Sequence, residues 1–328
     1  MTTTLEEKLS LRELLDDLVA DGRIEQADAE RVRAKAHQKQ TRSWHPIDVI
    51  AASECRDLGR PDYVLSSDSI LEWLSERVGQ AFLRIDPLKI DTQVVTKVMS
   101  SEFAQRHQIL AVNVSKDTVH IVSAEPHLSA WMSLIEQSQP GKNIVRLLAS
   151  PQDIKRYTQE FYAVANSVKK ASAQGLTGNA LGNLEQMLEL GQFEQMEAND
   201  THVVNIVDWI LQYAFTQRAS DIHIEPRREK GAIRFRIDGI LHTVYELPMP
   251  VVTAVVSRIK TLGRMNVAEK RRPQDGRLKT RASDSQEIEL RLSTLPTAHG
   301  EKLVMRIFDP TILLKTFAEL GLQDQELE

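Results

Sequence analysis

Apolar residues recur at helical spacing near the start of the chain, at Leu11, Leu14, Leu15, Leu18 and Val19. Asp21-Gly22 interrupts this pattern, because glycine readily takes the left-handed conformation that ends helices. Ile24 and the run Ala27–Ala36 predict a second helix. Residues 1–40 are therefore expected to form a helical hairpin, too small to fold well by itself. Ser67–Val78 repeats the helical period through Ile70, Leu71, Trp73, Leu74 and Val78.

Two short β-like runs follow, Ile109–Val114 and Thr118–Ala124, joined by the turn residues Ser115-Lys116-Asp117. Leu128–Ser138 reads as a helix, Ile144–Leu148 as a strand, and Pro151–Tyr162 as a helix with Ser150 as its N-cap. Residues 45–165 are thus expected to be a small α/β domain. Residues 163–200 are expected to be a flexible linker, because Ala171–Gly182 is rich in glycine and other small residues. Within it, Leu184–Leu190 reads as a short helix.

A second globular module follows from residue 201. Val203–Phe215 is a mostly apolar helix. Ile233-Arg234-Phe235-Arg236-Ile237 alternates strictly, which puts two arginines on one strand face and three apolar side chains on the other. Asp238-Gly239 has the chemistry of a tight hairpin turn, and Ile240–Glu246 returns as a strand. Pro248–Gly263 predicts a helix, and Arg277–Thr280, Glu287–Ser293 and Leu303–Phe308 predict three more strands. The expected fold class is α+β and multi-domain, with a mainly antiparallel sheet in the second module.

Composition narrows the function classes. Of 328 residues, 41% are hydrophobic and 27% charged, which excludes a largely disordered chain, a collagen or a membrane bundle. The net charge of −5 excludes the whole chain as a general polyanion binder. The charge is uneven: Thr201–Pro310 holds 18 Lys and Arg against 13 Asp and Glu, while the rest holds 23 against 33. The single cysteine, Cys55, excludes a disulfide framework within the chain and any multi-cysteine zinc site. The charged start, MTTTLEEKLSLREL, carries no apolar signal core, and no stretch is apolar enough to span a bilayer. A cytoplasmic protein is expected.

Catalytic motifs are missing. A Walker A loop needs G-x-x-x-x-G-K-[ST] so that backbone N–H groups cradle phosphates, and none occurs. No histidine pair has metal-ligand spacing, and no catalytic triad is legible. Asp221, His223 and Glu225 alternate onto one strand face, which reads as a solvated polar face. Glu269–Arg277 packs four cations around a Pro…Gly turn; arginine forks suit phosphate oxygens, although composition alone favours an exposed basic turn.

The order of several motifs changes that balance. ASDIHIEP (Ala219–Pro226) is followed by RFRIDGIL (Arg234–Leu241), SRIK (Ser257–Lys260), AEKRRPQDGR (Ala268–Arg277) and STLPTAHGEK (Ser293–Lys302). The series resembles the domain that precedes the motor in the ATPases of type II secretion and type IV pilus assembly, the GspE/PilB family, over about residues 201–325. Arg84–Asp91 and Ser150–Ile154 resemble the same family's amino-terminal domain less specifically.

The resemblance implies a PAS-like second domain whose arginines face nucleotide, by motif Arg272, Arg277 and Arg291, with Arg271 beside them. It implies ATP and Mg²⁺ in a complete enzyme, with a RecA-like domain and neighbouring subunits of a hexamer as partners. It also implies an inner-membrane platform protein as partner, and a cytoplasmic location at that membrane. This sequence is then expected to be the amino-terminal portion, without the P-loop domain and inactive alone. No bound cofactor and no nucleic acid are expected.

The first helices also resemble, weakly, a cyclic-di-GMP-binding module of some relatives. The matching residues are Arg12, Leu14, Leu15 and Gly22, although Arg12-Glu13 stands where Arg-Leu-Gly is expected. The alternative expectation is therefore a stand-alone regulatory nucleotide-binding module or scaffold.

Overall fold

The computed structural model describes residues 7–36, 44–60, 63–176, 200–281 and 287–308. The chain is a mixed α+β protein that divides into two compact units, Met1–Ala163 and Val164–Glu328.

The first unit opens with α1 (Leu11–Ala20), α2 (Gln26–Ala36), α3 (Pro46–Ala51) and α4 (Ser67–Val78). Gly22, at φ 67°, turns the chain out of α1, and Gly79, also at φ 67°, caps α4. At the other end of α4, the Ser66 hydroxyl accepts from the Ser69 N–H. The apolar stripes of all four helices share one core, including Leu14, Leu15, Leu18, Val32, Ile50, Leu71 and Trp73. The hairpin thus buries its face on α3 and α4.

Next come α5 (Thr92–Val95), α6 (Ser101–His107), β1 (Ile109–Val114), β2 (Thr118–Ser123), α7 (Met132–Ser138), β3 (Asn143–Leu148) and α8 (Pro151–Leu176). β1 pairs antiparallel with β2, and β2 parallel with β3. Ile109, Ile121, Trp131, Ile154 and Phe161 form the second core.

Two expectations need correction. The helix expected from Leu128 starts only at Met132: the Leu128 carbonyl accepts from Arg146 at 3.1 Å, and the Met132 N–H donates to the Ser129 carbonyl at 2.8 Å. The helix expected to end at Tyr162 continues to Leu176, since no glycine or proline interrupts it before Gly175. The first part of the 163–200 stretch is therefore helical. The rest of it, with the helix expected at Leu184–Leu190, lies outside the described residues.

In the second unit, α9 (Thr201–Thr216) is capped by the Asp200 carboxylate, which accepts from the His202 N–H at 2.6 Å. β4 (Asp221–Pro226), β5 (Lys230–Ile237), β6 (Ile240–Pro248), α10 (Met249–Leu262), β7 (Gln274–Arg281), β8 (Glu287–Thr297) and β9 (Gly300–Phe308) follow. The strands form one antiparallel sheet in the order β6-β5-β4-β9-β8-β7. Asp238 and Gly239, at φ 49° and 80°, make the expected tight turn between β5 and β6.

Strict alternation gives this sheet two different faces. Ile222, Ile224, Ile233, Phe235, Leu290, Leu292, Leu303 and Met305 are buried on the side covered by α9 and α10. Tyr213 of α9 stacks near Phe235, and Trp209 meets Tyr245 edge-on. The alternate residues, many of them charged, occupy the opposite face, which no helix among the described residues covers.

Candidate functional site

The arginine-bearing segment starts in the loop between α10 and β7, which is tied down from three directions. The Asn266 carboxamide oxygen accepts from the N–H groups of Ala268 and Glu269 at 3.0 and 3.3 Å. Gln274 reaches back: its Nε2 donates to the carbonyls of Asn266 and Glu269 at 3.0 and 2.8 Å, and its Oε1 accepts from the Asn266 N–H at 2.8 Å. From below, Lys260 of α10 donates to the Glu269 carbonyl at 2.7 Å and pairs with Glu301 at 2.7 Å; its side chain is 0% exposed. The Arg271 N–H donates to the Glu269 carboxylate at 2.6 Å, and the side chains of Arg271 and Arg272 stand exposed on this loop.

β7 then seats against the end of α10. A Cβ at Gly276 would lie 2.7 Å from the Gly263 carbonyl oxygen and 2.7 Å from Met265 Cε, so only glycine allows this approach. The next residue, Arg277, faces outward on the open side of the sheet and is directly opposite Arg291 of β8. Arg277 is 73% exposed and comes within 3.9 Å of Glu289. The Arg291 guanidinium lies over the Phe308 ring, 4.4 Å from its centre.

The four arginines named from the motifs therefore divide. Arg277 and Arg291 are side by side on the sheet, and Arg271 and Arg272 lie on the preceding loop, outside the strand pairing. In the first unit, Arg12 is exposed on α1, Leu14 and Leu15 are buried in the helical core, and Gly22 holds the left-handed turn. None of these four lines a cleft of about 390 Å³ in that unit, whose walls include Trp44, His45, Asp48 and Lys155. Among the described residues, no group of three or more His, Cys, Asp and Glu could hold a metal ion. The guanidinium groups fit phosphate; no comparable set fits Mg²⁺.

The charged lattice on β4 was not legible as a site in the sequence. Asp221 is buried and is bridged by Arg306 at 2.9 Å and by Arg236 at 3.4 Å. Glu225 is bridged by Lys302 at 3.0 Å and by Arg234 at 3.3 Å. Burial alone would raise the pKa of Asp221, but hydrogen bonds from Arg306 and Ser220 and the Arg306 charge outweigh it and lower the pKa. The same balance, struck by Lys302 and Arg234, lowers that of Glu225. His223 sits between the two carboxylates on its strand, and both its ring nitrogens are shielded without a hydrogen-bond partner. Burial, aided by the Lys302 charge, lowers its pKa against the pull of Asp221 and Glu225.

The sequence matches two family models: that of Type II/IV secretion system protein over residues 196–328, and that of the MshEN domain over residues 78–168. Type IV pilus assembly ATPase TfpB of Acinetobacter baylyi is 47% identical over 312 residues, covering 94% of this chain and 53% of that protein. Type IV pilus assembly ATPase PilB of Pseudomonas aeruginosa is 39% identical over 278 residues, 81% of this chain and 46% of the other. PilB of Myxococcus xanthus is 30% identical over 267 residues, 80% and 46%. A solved structure of MshE with cdg is 18% identical, at a TM-score of 0.33 over 47% of this chain and 100% of its own. The chain spans about half the length of the curated relatives it matches. No helix among the described residues is long and apolar enough to cross a membrane. With both halves of the sequence matched and the family's motifs in order along β4 to β9, the chain belongs to the type II secretion and type IV pilus assembly ATPase family.

Proposed function

We propose that this chain is the regulatory and docking part of a hexameric ATPase that powers protein secretion or pilus extension, and that its second unit faces the nucleotide. The observation that carries this reading is the side-by-side pair Arg277 and Arg291 on the sheet face opposite α9 and α10. Like charges directly opposite on neighbouring strands repel, and Glu289, 3.9 Å from the exposed Arg277, is only a weak counter-charge, so the pair suits an anionic partner. Phosphate oxygens match the arginine fork.

ATP with Mg²⁺ is the proposed nucleotide. A RecA-like domain supplies the P-loop, and Arg277 and Arg291, with Arg271 and Arg272 nearby, neutralise charge that spreads over the transferred phosphoryl group. Alone, the chain has no Walker A loop and does not turn ATP over. In this reading residues 1–40 and 45–165 serve docking on an inner-membrane platform protein, 163–200 link, and 201–325 form the PAS-like second domain beside the motor of its own and neighbouring subunits. The protein then works in the cytoplasm, held at the inner membrane through its partners.

The test is a chimera in which this chain replaces the matching segment of the Acinetobacter baylyi TfpB. Arg277→Ala and Arg291→Ala are expected to lower ATP turnover by roughly 10³-fold or more, with an unchanged thermal midpoint. Turnover within about twofold of the parent, well under 1 kcal/mol, overturns the reading.

A further inference from the structure

The arginine pair is part of a longer row. Arg291 is opposite Arg277 on one side and opposite Arg306 of β9 on the other. Arg306 is in turn opposite Asp221 of β4, and Asp221 opposite Arg236 of β5. Directly opposed residues share a face, so the three arginines of β7, β8 and β9 stand abreast across adjacent strands. Strand spacing of roughly 4.8 Å sets the outer two about 10 Å apart.

We propose that Arg306 is a third phosphate-binding residue, which with Arg277 and Arg291 grips a linear chain of phosphate groups laid across the strands. This rests on the nucleotide reading of the first two arginines and extends it to a residue outside their motifs. The geometry of Arg306 suits the role. Its Nε is fixed on Asp221 at 2.9 Å, while the side chain remains 66% exposed, which leaves the terminal guanidinium edge for a ligand. Asp221 is a positioning residue: nearly buried, and held from its other side by Arg236, it fixes where Arg306 points. Arg291 is likewise held in place, its guanidinium 4.4 Å from the centre of the Phe308 ring. Asp221 offsets the charge of Arg306, and Glu289 lies 3.9 Å from Arg277, but Arg291 has an arginine opposite it on both sides, and a polyanion laid along the row meets both of these like-charge contacts at once.

The experiment is calorimetric titration of the full 328-residue chain, at low ionic strength, with inorganic tripolyphosphate, with Mg²⁺-free ATP and with AMP. Tripolyphosphate and ATP are expected to bind alike, and AMP at least tenfold more weakly. Arg306→Gln, Arg277→Gln and Arg291→Gln are each expected to weaken tripolyphosphate about tenfold. Arg228→Gln, on the exposed turn between β4 and β5, is the charge-matched control and is expected to change affinity less than twofold. If Arg277→Gln and Arg291→Gln weaken binding and Arg306→Gln does no more than the control, the third-residue assignment falls and the nucleotide reading stands. If none of the three exceeds the control, the nucleotide reading falls and this inference with it. AMP binding as tightly as tripolyphosphate also overturns the row. Should Arg306→Gln unfold by stranding Asp221, Arg306→Lys decides, because it keeps the ion pair and loses the fork. A loss of threefold or more then supports the assignment, and wild-type affinity overturns it.

Discussion

Replacing Lys260 with methionine keeps the length of the side chain and removes its charge. The ammonium is 0% exposed and serves two partners, the Glu301 carboxylate at 2.7 Å and the Glu269 carbonyl at 2.7 Å. Glu301 is itself 7% exposed, so the change leaves a carboxylate inside the unit with no counter-charge. Breaking a buried pair in this way costs about 3–5 kcal/mol, while the Glu269 carbonyl keeps its hydrogen bond from Gln274 at 2.8 Å. In urea, where the free energy falls by about 1–3 kcal/mol per M, the midpoint of the second unit should drop by roughly 2 M. The double variant Lys260→Met/Glu301→Leu removes both charges and should recover most of that loss. Hydrogen exchange at Ala268, Glu269 and Arg271 should rise in both variants, since the loop loses its anchor from α10. A single variant less than 1 kcal/mol below wild type would show that the pair is effectively solvated. A double variant as unstable as the single would show that packing, not an uncompensated charge, sets the loss.

Three further outcomes follow from the same geometry. Gly276→Ala pushes a methyl group against the Gly263 carbonyl and should destabilise by about 1–3 kcal/mol; a thermal midpoint equal to wild type would mean that β7 moves freely. His223 has a lowered folded pKa, so the unfolded chain binds more protons, and stability should fall as pH drops below the ordinary histidine value of about 6.5. His223→Gln should flatten that slope, while the loss at lower pH, as Asp221 and Glu225 protonate through their own lowered values, should remain. Urea midpoints between pH 8 and 3 check both, and an unchanged slope below pH 6.5 would refute the histidine contribution. Burial, with the Glu102 charge adding to it, pushes the Tyr162 pKa up to about 12, so the ultraviolet difference between wild type and Tyr162→Phe should titrate there rather than near 10.

Much of the second unit's secondary structure was legible because strand alternation and turn chemistry are local. Ile233–Ile237 and Asp238-Gly239 specify a hairpin wherever they occur. Which strands become neighbours is not local. β4 pairs with β9 across some eighty residues, and only that pairing puts Arg306 on Asp221 and next to Arg291. In the sequence Arg306 is one more polar residue on an alternating strand. Lys260 hides for a similar reason: a helix pattern separates apolar from polar positions and does not tell a buried lysine from an exposed one. The α8 boundary expected at Tyr162 is overturned because a change of composition alone does not end a helix; the backbone keeps its helical hydrogen bonding as far as the glycine.

Because the arginines stand abreast, the spacing between them is set by the ladder of backbone hydrogen bonds that joins β7, β8 and β9. The sheet acts as a ruler, graduated by the strand separation and indifferent to side-chain length or loop composition. Sequence changes between Arg281 and Glu287 that preserve the pairing leave the graduation untouched. A slip of β8 by one residue turns Arg291 to the helix-covered side and Leu290 or Leu292 to the open one. The response of such a surface to insertions is therefore all-or-none: each either keeps the full row or removes its middle member.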